Sequence, residues 1–144
     1  MSDLKRFIDA QRRDYGTALQ EIQFGRKSSH WMWYIFPQIQ GLGFSSTSKY
    51  YAVHDLKEAQ DYLNDPYLNH NLVTICEALL FLDTSDAYKV FSSPDDMKLR
   101  SSMTLFEAAA DKAGRTDEKE IFAKVLDRFF RGERDQRTID ILQS

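Results

Sequence analysis

Apolar residues recur at three- and four-residue intervals along most of this chain, and that spacing predicts helices. From Asp3 to Phe24, the residues Leu4, Ile8, Tyr15, Leu19 and Ile22 form one stripe, widened by Phe7 and Ala18, with Gly25 available as a stop. Gln11 falls inside that stripe. It reads as a core-edge amide bonded to backbone, with a ligand contact as the alternative. Asp55 is placed to cap a helix carrying Leu56, Ala59 and Leu63, which ends near Asn64-Asp65 ahead of Pro66. Leu68, Leu72, Ile75, Leu79 and Leu82 make the next stripe. Ala78, Leu80 and Phe81 render its second half apolar nearly all round, which predicts a helix at the centre of the fold.

Ser93-Pro94-Asp95-Asp96 combines a serine N-cap, proline at the first helical position and two acids where the helix dipole favours negative charge. In the helix it starts, Leu99, Met103, Phe106 and Ala110 share one face at ~100° per residue. Gly114-Arg115-Thr116 links it to a helix with Phe122, Val125, Leu126 and Phe129 inward, stopped by Gly132; Asp135 is placed to cap a short last helix containing Ile139 and Leu142. No alternating strand, hairpin, repeat or low-complexity tract interrupts this pattern. The fold class is therefore mainly α: one compact domain over residues 1–144, a bundle of about six or seven helices.

One stretch breaks the periodicity. Ser28-Ser29-His30-Trp31-Met32-Trp33-Tyr34-Ile35-Phe36-Pro37 holds both tryptophans of the chain, and is too short and too uniformly apolar to separate buried strand from buried helix. Pro37 ends it in either case. Gly41-Leu42-Gly43-Phe44 and Ser45-Ser46-Thr47-Ser48 then read as a structured loop.

Composition narrows the picture. At 13% aromatic residues, the chain has the material for an aromatic-rich core or a stacking surface. A net charge of −3 argues against nonspecific nucleic-acid or anionic-membrane binding, leaving room only for a local basic pocket. The single cysteine, Cys76, allows no internal disulfide, and no apolar run approaches the ~18 residues of a membrane span, so the expected location is the cytoplasm. The first residues carry no apolar signal core.

Metal chemistry lacks its motifs: His30, His54 and His70 have no HxxxH or HExxH spacing, and Cys76 has no second cysteine. No GxSxG elbow, dinucleotide fingerprint or GxxxxGK phosphate loop occurs either. Two clusters remain. In the first, Trp31, Trp33, Tyr34 and Phe36 cannot all face one way, so some belong to the core and others to a cleft wall; beside Lys27 and His30 they would suit a nucleobase or another planar ligand. In the second, Asp95, Lys98 and Ser102 run along one edge of a helical stripe, and Asp96, Arg100 and Glu107 along the other. One reading is a capped helix with an Asp96–Arg100 pair; the other makes Lys98, Arg100, Ser101 and Ser102 an anion cradle. The charge-rich end from Gly132 to Thr138 reads as a capped turn, or as a source of Asp135 or Arg137 for a cleft.

These segments, in this order, resemble the bacterial domain-of-unknown-function 1810 family. The likeness runs from residues 29–39 through Gly41-Leu42-Gly43, residues 48–53, Ser93-Pro94-Asp95-Asp96 and residues 98–106 to Phe129-Phe130, Gly132, Asp135 and Thr138. It implies a mainly helical fold with no established activity. Ser92 departs from the glycine more usual before the Ser-Pro pair. Some members carry a calpastatin-like label, but calpastatin is a disordered inhibitor and this chain has patterned helices. A fainter likeness of layout, with no catalytic motif, is to the NADAR family, linked to ADP-ribose and related N-glycosidic substrates.

The expected function is binding of a small phosphorylated or nucleotide-like ligand. Lys27, His30, Trp31, Trp33, Tyr34, Lys98, Arg100, Ser101 and Ser102 are the candidate contacts, and Asp95 or Asp96 the candidate acid should N-glycosidic hydrolysis occur. No cofactor and no metal are expected. The alternative is a non-catalytic module that recruits a protein partner through an exposed edge.

Overall fold

A computed structural model describes residues 3–144. Among them lie nine helices: α1 (Lys5–Gln23), α2 (Met32–Ile35), α3 (Ser46–Tyr51), α4 (Leu56–Asn64), α5 (Pro66–Phe81), α6 (Ala87–Phe91), α7 (Asp95–Lys112), α8 (Thr116–Phe130) and α9 (Gln136–Gln143). The count exceeds the six or seven expected because α2, α3 and α6 span only four, six and five residues, too few for periodicity to register. Local caps mark two of them. The Ser45 hydroxyl accepts from the Ser48 amide at 3.1 Å, starting α3 inside the stretch read as loop, and Asp86 accepts from the Lys89 amide at 3.3 Å to start α6.

The caps expected of Asp55 and Asp135 form, with Asp55 accepting from the Glu58 amide at 2.8 Å and Asp135 from the Thr138 amide at 3.2 Å. The cap expected of Ser93 does not. Pro94 precedes α7, the Ser93–Pro94 peptide is cis, and the Ser92 carbonyl accepts the Asp96 amide at 2.9 Å in place of a side chain.

The central helix is α7, not α5. Leu99, Met103, Phe106 and Ala110 are fully buried as their spacing predicts, and so are Ser102, Leu105 and Ala109 on the flanks. Small side chains at three of these seven positions let α7 pack against α8, α4, α6 and α9. On α5 the second half is less enclosed than its composition implies, and Phe81 is 89% exposed. A ring cluster joins the aromatic segment to the α6 end: Phe36 lies 6.3 Å from Trp31 and 5.8 Å from Phe91.

Two polar groups inside the fold are fully matched. Gln11 donates to the Tyr34 carbonyl and the Tyr62 hydroxyl, each at 2.8 Å, and accepts from Asn71 at 3.0 Å, so it is the backbone-bonded core amide expected. Arg6 binds Glu58 at 2.7 Å with both side chains under 5% exposed. The same guanidinium donates to the carbonyls of Tyr50 and Ala52 at 2.9 and 2.8 Å, clasping residues 50–58 to α1. That clasp presents Val53 to the aromatic segment, where the Gln40 amide donates to the Val53 carbonyl and the Val53 amide to the Gln38 carbonyl, both at 2.8 Å. Residues 38–40 are thereby tied to Val53 through their backbone, with Ile39 buried between half-buried Gln38 and exposed Gln40.

Candidate functional site

The aromatic segment leaves α1 through Gly25 and is anchored by Glu21, whose carboxylate accepts the Ser28 and Ser29 amides and the Trp31 indole within 2.8–2.9 Å, as well as the Ser29 hydroxyl. Partial burial by itself would raise the Glu21 pKa. The four hydrogen bonds outweigh it and hold the group at about 2, a permanent anion at neutral pH. This anchor turns Trp31 into the core, where 1% of it is exposed. Tyr34 is buried as well; its hydroxyl donates to Asp14, and burial together with that bond pushes its pKa up to about 12. His30 is exposed, and only its carbonyl is engaged, by the Tyr34 hydroxyl at 3.3 Å. None of His30, Trp31 and Tyr34 lines the cleft described next.

Trp33 points the other way. It borders a recess of about 30 Å³ with Gln38, Gly43, Ser48 and Tyr51. Gln38, Gly43 and Ser48 are shared with an open cleft of about 250 Å³, whose far wall is Met97, Lys98 and Ser101 of α7 with Asp135 and Arg137 at the start of α9. The narrow join depends on glycine: a Cβ at Gly43 would lie 2.6 Å from the Ser48 Cβ.

The charges of the second cluster divide between structure and cleft. Lys27 Nζ lies 2.9 Å from Asp95, 2.5 Å from the Ser29 carbonyl and 5.1 Å from the Trp31 ring centroid. Lys27 is enclosed in this way and does not line the cleft. Lys98 Nζ sits 3.3 Å from the other Asp95 oxygen and 5.4 Å from the Trp33 centroid, at the cleft wall. Asp95 is thus the shared counter-ion of two lysines. Asp96 accepts the Met97 amide at 2.8 Å and borders a separate, shallow hollow with Tyr88 and Arg131.

The Asp96–Arg100 pair does not form, because Arg100 turns toward the connection after α8, reaching Glu133 at 3.7 Å and Asp135 at 3.8 Å. The anion cradle is therefore only half assembled. Lys98 and Ser101 face the cleft, Arg100 lies behind Asp135, and Ser102 is wholly buried with its hydroxyl unpartnered. Asp135 lines the cleft but is heavily engaged, accepting from Ser101 at 3.1 Å and from the Thr138 hydroxyl at 2.6 Å. Arg137 is exposed and has no partner among the described residues.

Sequence reasoning passed over Gln38 and Ser48. The signal for Gln38 was its place as the first polar residue after an apolar run closed by proline. Ser48 differed in no visible way from its serine neighbours. Among the described residues no group of three or more His, Cys, Asp or Glu could hold a metal ion. The Cys76 thiol is buried 3.7 Å from the Met103 sulfur, and burial raises its pKa, so it is not a nucleophile. No helix among the described residues is long and apolar enough to cross a membrane.

Fold and site together define an all-helical single domain with a small cleft that carries Lys98, Arg137 and the Asp135 carboxylate on one wall and amide and hydroxyl groups on the other. The chain belongs to the family described as "Protein of unknown function (DUF1810)", whose profile matches residues 1–142. Among solved structures it is similar to the conserved hypothetical protein Rv1873 from Mycobacterium tuberculosis. The two are 38% identical with a TM-score of 0.91, over 99% of this chain and 97% of that one. No curated protein matches. The layout likeness to the NADAR family has no counterpart in either match.

Proposed function

We propose that this protein binds a small phosphorylated ligand in the cleft between Gln38 and Arg137. One observation carries the reading: Lys98 and Arg137 face the same 250 Å³ space as the Ser48 hydroxyl and the Gln38 amide. Two cations over a neutral polar floor, with the one carboxylate on their wall, Asp135, turned to the Ser101 and Thr138 hydroxyls, suit a compact anion with a polar body. The space is small and open to solvent, which suits a compact ligand held partly outside it. The N-glycosidic extension needs a carboxylate beside the ligand; Asp135 lines the cleft, Asp95 reaches it only through Lys98, and Asp96 is elsewhere. Asp135 is thus the acid to test, although its hydrogen bonds suit a positioning group better than a proton donor.

A thermal-shift panel of nucleotides, ADP-ribose derivatives and phosphosugars tests the proposal, since a ligand of the native state raises the melting temperature by mass action. A dose-dependent rise that is lost in Lys98→Ala/Arg137→Ala supports it; no rise with any phosphorylated compound sinks it.

A second reading, a protein-interaction module, is favoured by Phe81 and Phe24, 89% and 82% exposed at the ends of α5 and α1. A hollow of about 460 Å³ lined by Leu19, Ala78, Phe81 and Leu82 lies there. Its test is partner capture from a lysate by wild type against Phe81→Ser, with equal capture counting against it.

A further inference from the structure

The geometry points to Gln38 as the residue that selects the ligand, and to a nucleobase edge as what it reads; this rests on the cleft being a phosphorylated-ligand site. Two glutamines with opposite environments carry the argument. Gln11 has all of its amide in use, with two donor contacts at 2.8 Å and one acceptor contact at 3.0 Å inside the core. Gln38 is half-buried, its side-chain amide has no partner among the described residues, and it stands where the Trp33 recess and the cleft meet.

An unclaimed amide on a flexible loop would mean little, but Gln38 is not on one. Its carbonyl accepts the Val53 amide at 2.8 Å, the next hydrogen bond of that short ladder is at Gln40, and Pro37 precedes it. The Arg6–Glu58 clasp holds the partner segment from behind through the Ala52 carbonyl. The side chain is therefore presented from a fixed backbone, the condition under which a hydrogen-bonding group discriminates instead of adapting.

A carboxamide offers a donor and an acceptor side by side, which matches the paired donor and acceptor on a base edge. The partly exposed indole of Trp33 borders the adjoining recess of about 30 Å³, which holds no more than a water, so it closes the Gln38 end of the cleft beside the base edge. Across the cleft, Lys98 and Arg137 are placed for a phosphate. The ligand class that satisfies both ends within this volume is a nucleoside monophosphate, with its phosphate toward α7 and α9 and its base edge toward Gln38.

Calorimetric titration separates this inference from the reading beneath it. The probes are inorganic phosphate, ribose 5-phosphate and the common nucleoside 5′-monophosphates, run against wild type, Gln38→Leu, Gln38→Glu and Lys98→Ala/Arg137→Ala. Wild type is expected to prefer one base. Gln38→Leu should weaken that nucleotide by about tenfold while phosphate and ribose 5-phosphate stay within about twofold. Gln38→Glu, nearly isosteric but without the donor, should reorder the bases. The double cation variant should lose every probe. An unchanged base ranking in both Gln38 variants, or equal weakening of all probes, overturns the role of Gln38 and leaves the phosphate site standing. Failure of every probe to bind wild type overturns the reading itself, and the inference with it.

Discussion

Lys27 and Asp95 are joined at 2.9 Å with the lysine side chain 9% exposed, and that pair determines which cation is left for the cleft. Lys98 shares the same carboxylate at 3.3 Å from a position 24% exposed. The two lysines look equivalent in the sequence, yet one is enclosed and the other faces solvent. Lys27→Met should therefore cost about 2 kcal/mol of stability, since it removes a charged hydrogen bond from an enclosed site. Lys98→Ala should cost less than about 0.5 kcal/mol. Urea denaturation of the two variants measures both, and reversal of the order would refute the division of labour.

Glu21 contributes to stability in a defined pH window. Its pKa is about 2 in the fold against an ordinary 4.5, so the unfolded chain binds the proton more tightly. The stabilisation is fully present above about pH 4.5 and is lost as the pH falls toward 2, with a magnitude on the order of 1–2 kcal/mol after allowance for solvent screening. Glu21→Gln should flatten the loss of stability between pH 5 and 2 on the same scale, as read by denaturant midpoints at each pH. A slope identical to that of wild type would show that the carboxylate does not anchor the aromatic segment.

Ser92 adopts φ 60° and ψ 176°, a region almost reserved for glycine. Ser92→Gly should raise stability by about 1 kcal/mol, measured as an upward shift of the thermal midpoint. Gly43→Ala should act in the opposite sense, because its Cβ would meet Ser48 at 2.6 Å; the expected cost is ~1–3 kcal/mol together with weakened ligand binding.

The Arg6–Glu58 pair lies almost wholly inside the protein. Glu58→Ala strands the guanidinium and should cost about 3–5 kcal/mol, whereas Arg6→Met combined with Glu58→Leu should recover a large part of that. A double-mutant cycle in urea gives the coupling, and simple additivity would contradict the clasp.

How much of this was legible in the sequence follows from the range of the forces involved. Helices of eight residues or more announced themselves through periodicity, and the Asp55 and Asp135 caps through residue type, because both signals are local. The short helices α3 and α6 carry too few residues for a period. The Ser93 cap was misread because a backbone carbonyl, that of Ser92, does the work there. The site candidates were sorted by tertiary contacts that sequence order does not encode: Glu21 claims Trp31, Asp14 claims Tyr34, and Asp95 with Ser29 claims Lys27. Of the named contacts, Trp33, Lys98 and Ser101 border the recess or the cleft. Arg137 and Asp135, read only as a possible source of cleft groups, join Lys98 there because the turn after Gly132 folds back onto α7.

The central claim, a phosphorylated-ligand site beside Trp33, is tested most directly by intrinsic fluorescence during titration with nucleoside 5′-monophosphates. Of the two tryptophans, Trp31 is enclosed and bonded to Glu21, so Trp33 is the reporter. The account predicts a saturable change in wild type that disappears in Trp33→Phe and shifts to at least about tenfold higher concentration in Lys98→Ala/Arg137→Ala, with far-ultraviolet circular dichroism unchanged in both. A flat titration into the millimolar range, or an affinity unaffected by loss of both cations, would contradict it.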